Sequence, residues 1–298
     1  MNKLTILKTA PLVLVLILLS GCITPSGGGE TPISGGQGVV ITKFSTFITK
    51  ITSGETFTME IHVKNVGDAK AESVNATIFN LGPFKLTSSN PIPLGSLDPP
   101  RPEYNLPPGE AMDQWSLKAP DVEQPYTHVL KAKVEYDYNT YAYASIPAVT
   151  TERWRELNKR GGTLYISKYC SNAPIKVDFE GPVPIVVRGE DAKYVIVVEN
   201  VGNGYVKDDK LTKLVVGYEV AGESCNCTIP SGTCGSDCSI SPNELKLIGG
   251  DKRIYTFTIK NLNQTKIDGD ENTIFLRVDV KYTYVTEAHA QVTIYPPL

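Results

Sequence analysis

Long stretches of the chain alternate hydrophobic and polar residues with a period of two, as β-strands with one buried face do. One such stretch sets four apolar residues against four polar ones: Phe57, Met59, Ile61 and Val63 against Thr58, Glu60, His62 and Lys64. Others run from Leu130 to Tyr138 and from Ile274 to Tyr284. They predict half-buried antiparallel strands. Because the sequence offers few helices, the apolar face of each sheet must be covered by another sheet.

Two parts of the chain repeat. Gly54–Gly67 and Gly189–Gly202 share seven of fourteen residues without a gap, 135 positions apart. Val134–Ala144 matches Val280–Ala290 at an offset of 146, so the second copy has gained about eleven residues in between. The sequence therefore predicts two copies of one module.

The strands and the Pro- and Gly-rich breaks between them predict an all-β fold of two tandem immunoglobulin-like antiparallel β-sandwich domains. A jelly roll or an open barrel is the second choice. The expected domains are residues 39–150 and 163–298. The Asn-Val-Gly triplets that end at Gly67 and Gly202 are predicted to form tight reversals in which the glycine takes a positive φ.

Residues 151–162 predict a short helix between the copies, with Thr151 as the cap, late basic residues and a terminal glycine. Trp154 and Leu157 are expected to pack on a domain and to fix the angle between the two domains. A free linker is the alternative.

The N-terminus has the pattern of a secretion signal over residues 1–21, with two lysines ahead of an apolar run too short to span a membrane. The four residues that end in Cys22, LSGC, resemble the lipobox of secreted lipoproteins. This resemblance implies cleavage before Cys22 and a two-chain lipid on its sulfur, which gives stable anchoring. Residues 22–38 are predicted to be a flexible tether. We therefore expect the chain to be lipid-anchored at the cell membrane, facing the extracellular side.

The repeated segment carries a second resemblance. A Gly-Glu turn, an alternating strand, Asn-Val-Gly and then Asp68–Asn80 resemble the CARDB-type, Ig-like modules of archaeal and bacterial surface proteins. The likeness is clearest over residues 54–80 and 189–206. It implies a seven-stranded sandwich used for adhesion, envelope architecture or display of other domains, and it implies no catalytic residues.

Four cysteines fall within fourteen residues: Cys225, Cys227, Cys234 and Cys238. Outside the membrane they are expected to pair as disulfides, and three pairings are possible. The nested pairing, 225 with 238 and 227 with 234, would suit a loop that closes on itself. Cys170 is expected to be either a buried free thiol or the partner of one member of this group.

A metal site and a redox pair at Cys225 and Cys227 are the alternatives for these cysteines. Their C-x-C-x6-C-x3-C spacing lacks the paired C-x2-C of zinc ribbons, and the sequence nearby does not predict a thioredoxin-like βαβ unit. Asp268–Asn272 begins like a calcium loop, yet the turn glycine and the bidentate glutamate are missing, which favours a solvated turn. We expect no metal and no cofactor.

Three glycosylation sequons begin at Asn75, Asn226 and Asn263. Asn75 and Asn263 are the candidates. Asn226 is expected to be the poorest acceptor because it lies between two bridged cysteines.

The charge, the histidines and the motifs of the sequence favour a protein without catalytic activity. The net charge of −3 makes nucleic acid an unexpected partner. His62, His128 and His289 fall in different strands, and no nucleophile, metalloprotease or phosphate-binding motif is present. The residues between Tyr136 and Tyr143 predict an aromatic hairpin that either packs within the sheet or binds sugars or peptides.

The sequence thus predicts a non-catalytic, lipid-anchored surface protein that acts in adhesion, envelope scaffolding or partner presentation. Its expected partner is protein or carbohydrate at the cell surface, and its expected contact surface is the cysteine-stapled loop of the second copy. The first alternative is a ligand-binding lipoprotein that serves a membrane transporter or another envelope complex. The second is a metalloprotein that uses the cysteines.

Overall fold

The computed structural model describes residues 36–48 and 50–297, which belong to one compact unit. The predicted signal peptide, Cys22 and most of the tether lie outside this part. Among the described residues, no helix combines the length and the apolar character needed to cross a membrane. The described chain is built almost entirely of strands, which confirms the all-β prediction.

The described part of the first copy forms strands β1 (Val39–Ser45), β2 (Ile51–Thr52), β3 (Thr56–Asn65), β4 (Ala71–Phe79), β5 (Lys85–Leu86), β6 (Ile92–Leu97), β7 (Glu110–Lys118) and β8 (Tyr126–Thr150). Helix α1 (Thr151–Arg160) follows. The second copy forms β9 (Ser167–Cys170), β10 (Ile175–Glu180), β11 (Ile185–Val187), β12 (Glu190–Asn200), β13 (Tyr205–Val206), β14 (Lys213–Val220), β15 (Glu223–Ile229), β16 (Thr233–Cys234), β17 (Cys238–Ser241), β18 (Lys252–Leu262) and β19 (Glu271–Tyr295). Short 3-10 helices lie at Pro102–Tyr104, Lys207–Asp209 and Gln264–Lys266.

Each copy builds one small sheet, in the order β1-β3-β7-β5 in the first and β10-β12-β18-β17 in the second. The other strands form one large sheet that belongs to both copies, the shared sheet, whose main path is β16-β15-β14-β19-β8-β4-β6. Along β8, every even-numbered residue from Leu130 to Ala148 is buried, and the odd-numbered residues between them are exposed or half-buried. Both small sheets therefore cover the same face of the shared sheet, and its other face is open to solvent.

The two copies exchange their last strands. β8 and β19 pair antiparallel from Tyr126 opposite Ile294 to Val149 opposite Glu271. The first half of β8 also pairs with β4 of its own copy, whereas its second half pairs with β9 and β11 of the second copy. β19 pairs with β14 of its own copy and with β2 of the first. Each long strand thus serves as strand F of its own immunoglobulin-like sandwich and as strand G of the other.

This exchange is not predicted by the sequence pattern, which treats each copy as closed in itself. The boundaries 39–150 and 163–298 follow the order of the chain and stay a prediction. Trp154 and Leu157, which were expected to pack on a domain, are half-buried.

The predicted helix forms between the copies. Its N-cap is Thr150 and not the expected Thr151, which is the first helical residue: the Thr150 hydroxyl oxygen accepts a hydrogen bond from the backbone N–H of Arg153 at 3.2 Å. The Arg153 Nε donates to the Glu271 carboxylate at 3.0 Å. The helix is therefore tied to the first residue of β19.

The Asn-Val-Gly triplets are not the hairpin turns that the sequence predicts. Because β3 and β4 lie in different sheets, the first triplet carries the chain from one sheet to the other. Neither Gly67 nor Gly202 has a positive φ. A Cβ atom at Gly67 would instead collide with the hydroxyl of Tyr138, and one at Gly202 with the hydroxyl of Tyr284. Glycine is required at both places because a larger side chain would not fit beside the tyrosine hydroxyl.

Candidate functional site

Four tyrosines of the repeated motif lie in the core where β8 and β19 cross between the sandwiches: Tyr136, Tyr138, Tyr282 and Tyr284. Their ring centroids are 5.6 to 6.3 Å apart. Burial raises the pKa of all four phenols above the ordinary value. These buried side chains hold the two copies together.

The same hydrogen bonds recur in both copies. The Tyr138 hydroxyl donates to Asn65 Oδ1 at 3.1 Å, and the Tyr284 hydroxyl donates to Asn200 Oδ1 at 2.9 Å. Each asparagine is the first residue of an Asn-Val-Gly triplet. The repeat of Asn, Gly and Tyr in the sequence therefore marks one buried contact that is made twice.

β8 is one continuous strand and not the predicted hairpin. Tyr141 and Tyr143 are therefore odd-numbered residues of the same strand, on the face opposite the buried Tyr136 and Tyr138. Tyr141 and Tyr143 meet Tyr169 of β9 on the open face of the shared sheet. The rings of Tyr143 and Tyr169 are stacked, with centroids 5.4 Å apart and planes 13° apart. We call these three residues the outer tyrosine cluster. Tyr169 belongs to the other copy, so its place here follows only from the strand exchange.

The cluster is accessible. Tyr143 is 42% exposed and Tyr169 is 46% exposed. The pKa of Tyr169 is raised to about 12, chiefly by partial burial of the phenol and further by the nearby Tyr141 and Asp68. The phenols of Tyr141 and Tyr169, whose pKa values are raised, are therefore neutral at physiological pH. All three residues of the cluster offer ring surface together with hydroxyl groups.

One row of paired residues crosses five strands at this place, in the order Tyr169, Tyr143, Arg277, Gly217 and Asn226. At about 4.8 Å between strands, the row is about 19 Å long. A Cβ atom at Gly217 would collide with the side-chain oxygen of Asn226, so that side chain lies across the glycine. The row therefore has rings at one end and polar groups at the other.

Charged and apolar side chains flank this row. Arg277 Nε donates to Asp279 Oδ2 at 2.8 Å, and the arginine side chain is 69% exposed. Phe275, two residues before Arg277 on the same strand, is 54% exposed. The open face thus combines aromatic rings, a guanidinium group and a carboxylate within a few residues.

The cysteines form the nested pair of disulfides, Cys225–Cys238 and Cys227–Cys234. The first bridge joins β15 of the shared sheet to β17 of the small sheet, and Cys225, Cys227 and Cys238 are buried. Cys170 is a buried free thiol, and burial raises its pKa. The expected stapled loop is therefore wrong in form, because all four bridged cysteines lie on strands.

The other predicted sites are scattered. Within residues 36–48 and 50–297, no group of three or more His, Cys, Asp or Glu side chains could hold a metal ion. Asn75 is half-buried on β4, and Asn263 caps a 3-10 helix by accepting from the N–H of Lys266 at 3.2 Å. Asn226 is exposed, because its neighbouring cysteines face inward. This removes the steric reason for ranking it last as a glycan acceptor.

The histidines are not grouped. His62 contacts Glu60, which also accepts from Lys43 Nζ at 2.5 Å, and these two partners lower the pKa of the Glu60 carboxyl. His128 stacks on Tyr126, with ring centroids 6.2 Å apart. His289 lies on β19 opposite Lys131. The three histidines therefore lie on three different strands, β3, β8 and β19.

Comparisons with known proteins add little to this picture. No protein family and no curated protein sequence matches the chain. One solved structure that aligns with it is of the Enterococcus faecalis MSCRAMM ACE, described as binding its ligands by the collagen Hug Model. The alignment covers 86% of this chain and 94% of that one, with 7% identity and a TM-score of 0.15. A score this low carries no argument about function, so the fold assignment rests on the strand order above.

Proposed function

We propose that this chain is a non-catalytic, lipid-anchored protein of the outer cell surface, in which two fused sandwiches present one open sheet face to a partner. The observation that carries this proposal is the shared sheet. One face is covered by both small sheets, and the other is solvent-accessible across both copies. Because β8 and β19 pair along nearly their whole length, the open face is rigid. Such a unit suits adhesion or envelope scaffolding, where a surface must keep its shape.

The disulfides support an extracytoplasmic location. Two nested bridges are built into the core of the second sandwich, and such bridges persist in oxidising compartments. The lipobox resemblance at Cys22 and the Gly/Ser/Pro-rich residues 22–38 add a lipid anchor and a tether. Together they would hold the open face a short distance above the membrane.

Thiol counting on the full-length protein isolated from membranes tests the anchor. Of the six cysteines, four are bridged. After denaturation without reduction, we expect one reactive thiol, from Cys170, because lipid blocks Cys22. Mass spectrometry should find the N-terminus at Cys22 with a lipid-sized increment. The matched control, Cys22→Ala, should release the protein from the membrane with its fold unchanged. Two reactive thiols on an uncleaved chain would refute the proposal.

A second candidate function, a ligand-binding lipoprotein, is favoured by one groove. The groove has a volume of about 490 Å³ and lies where the copies meet, with Lys70, Glu72, Asn139 and Lys281 among its lining residues. The side-chain oxygen of Asn139 is buried without a hydrogen-bond partner. A small polar ligand with an N–H donor would satisfy it. Native mass spectrometry of the isolated protein tests this function, since a retained small molecule should be lost in Asn139→Ala.

A further inference from the structure

We propose that the outer tyrosine cluster, together with Arg277 and Asp279, is a binding site for an oligosaccharide. This inference rests on the proposed surface function and names the class of ligand for it. It places the contact surface on the shared sheet and away from the cysteine-rich segment.

The rings supply the apolar part of the site. Tyr143 and Tyr169 are stacked side by side and are each nearly half exposed, so their edges and outer faces form one continuous aromatic surface. The ring centroid of Tyr141 lies 6.0 Å from that of Tyr143 and 6.2 Å from that of Tyr169, so its ring extends this surface. The C–H groups of a pyranose ring make an apolar face of similar size. Burial of that face against aromatic rings is favourable for the same reason as other apolar burial.

The polar part lies in the next strand. The two hydrogen bonds between Arg277 and Asp279 use two of the five N–H groups of the guanidinium. The arginine side chain is 69% exposed, so its other donors can reach solvent or a ligand. A guanidinium group beside a carboxylate offers both hydrogen-bond donors and acceptors to sugar hydroxyls. The phenol groups of the cluster add further donors and acceptors.

The shape of the surface favours a sugar chain over a protein. A stable protein interface buries roughly 800 Å² on each partner and places its anchors in pockets. Here the rings and polar groups lie along a row about 19 Å long that crosses five strands. At Gly217 the row carries no side chain of its own, and the amide of Asn226 lies there. A linear ligand with alternating apolar faces and hydroxyl edges fits this row.

Titration calorimetry on the full chain tests the proposal, with cellotetraose, chitotetraose, mannotetraose and maltotetraose as probes. At least one tetrasaccharide should bind. Tyr143→Ala and Tyr169→Ala should each weaken that binding about tenfold, whereas Tyr143→Phe, which keeps the ring, should retain most of it. Arg277→Gln should weaken binding by a similar factor because it removes the charged donors. Circular dichroism confirms that each variant is folded.

Tyr205→Ala is the matched control, since Tyr205 is also an exposed tyrosine on an edge strand, with 43% of its surface accessible. It should leave binding unchanged. Failure of all four probes, or equal binding by Tyr143→Ala and the unmodified chain, would overturn the proposal. Neither result changes the thiol count or the N-terminal lipid, so the proposed surface function is tested independently of sugar binding.

Discussion

The hydroxyl of Thr283 donates a 2.6 Å hydrogen bond to the carboxylate of Asp137, directly across from it in the β8–β19 pair. These two residues occupy equivalent positions in the two copies. They therefore mark the axis that relates one sandwich to the other. Residues on either side of them pair crosswise, Tyr136 with Tyr284 and Tyr138 with Tyr282.

A single copy should not be a stable monomer. Residues 36–150 alone lack a strand G, which leaves one edge of strand F unpaired. We expect this fragment to dimerise by exchanging the second half of β8, with Asp137 facing Asp137. Like charges placed directly opposite are unfavourable, so Asp137→Thr should strengthen the dimer roughly two- to fivefold. Light scattering after size-exclusion chromatography measures both states. A folded monomer of the fragment would contradict the exchange.

Gly67→Ala and Gly202→Ala should each lower the free energy of unfolding by about 1 to 3 kcal/mol, because the added methyl group meets a tyrosine hydroxyl in a packed core. Urea unfolding followed by circular dichroism measures the loss. Gly36→Ala is the control, since its nearest neighbour would be a carbonyl oxygen at 3.6 Å. If both core variants were as stable as this control, the account of the triplets would be wrong.

The buried phenols predict a loss of stability in alkali. Burial raises their pKa values in the folded protein, to about 12 for Tyr255, whereas the ordinary value for tyrosine is 10.0. Between these values the folded state binds more protons than the unfolded state, so stability is full below about pH 10 and falls as the pH rises further. Tyrosinate absorbance from these buried residues should rise in a step that coincides with unfolding by circular dichroism. One smooth titration of all fifteen tyrosines would disprove this.

The two disulfides should differ in their contribution to stability. Replacing both Cys225 and Cys238 by Ser opens a bridge across 13 residues that joins two sheets, at a cost of about 3 kcal/mol. Replacing both Cys227 and Cys234 opens one across 7 residues, which should cost about 0.6 kcal/mol less because the loop is half as long. Urea unfolding of both variants, with Cys170→Ser as control, measures the difference. A greater loss from the shorter bridge would contradict this order.

Much of the fold follows from the sequence because one physical signal, the period of two, assigns both strand and face. The alternation around Met59 and Val278 predicts the buried side correctly, since both residues are fully buried. The nested disulfides are one of three open pairings, and only the spatial arrangement of β15, β16 and β17 selects among them.

The exchange and the outer tyrosine cluster could not be predicted in the same way. Alternation states which face a residue takes, but it does not state which strand lies beside it. Tyr143 is assigned outward by its position, whereas its neighbour Tyr169 lies in the other copy. One clue was present: the even-numbered residues from Leu130 to Ala148 are apolar or aromatic except for Thr140, a run far longer than the strands of a single small sandwich.

The shared pairing gives the molecule the geometry of a two-fold homodimer whose subunits have been fused. An ancestral polypeptide with one such long strand could complete its sandwich only by finding a second molecule, at a rate and extent set by its concentration. Gene duplication places the second half at a fixed, high effective concentration. It also frees each half to diverge, so that the residue on the axis is Asp137 in the first half and Thr283 in the second. Dilution then no longer separates the two halves.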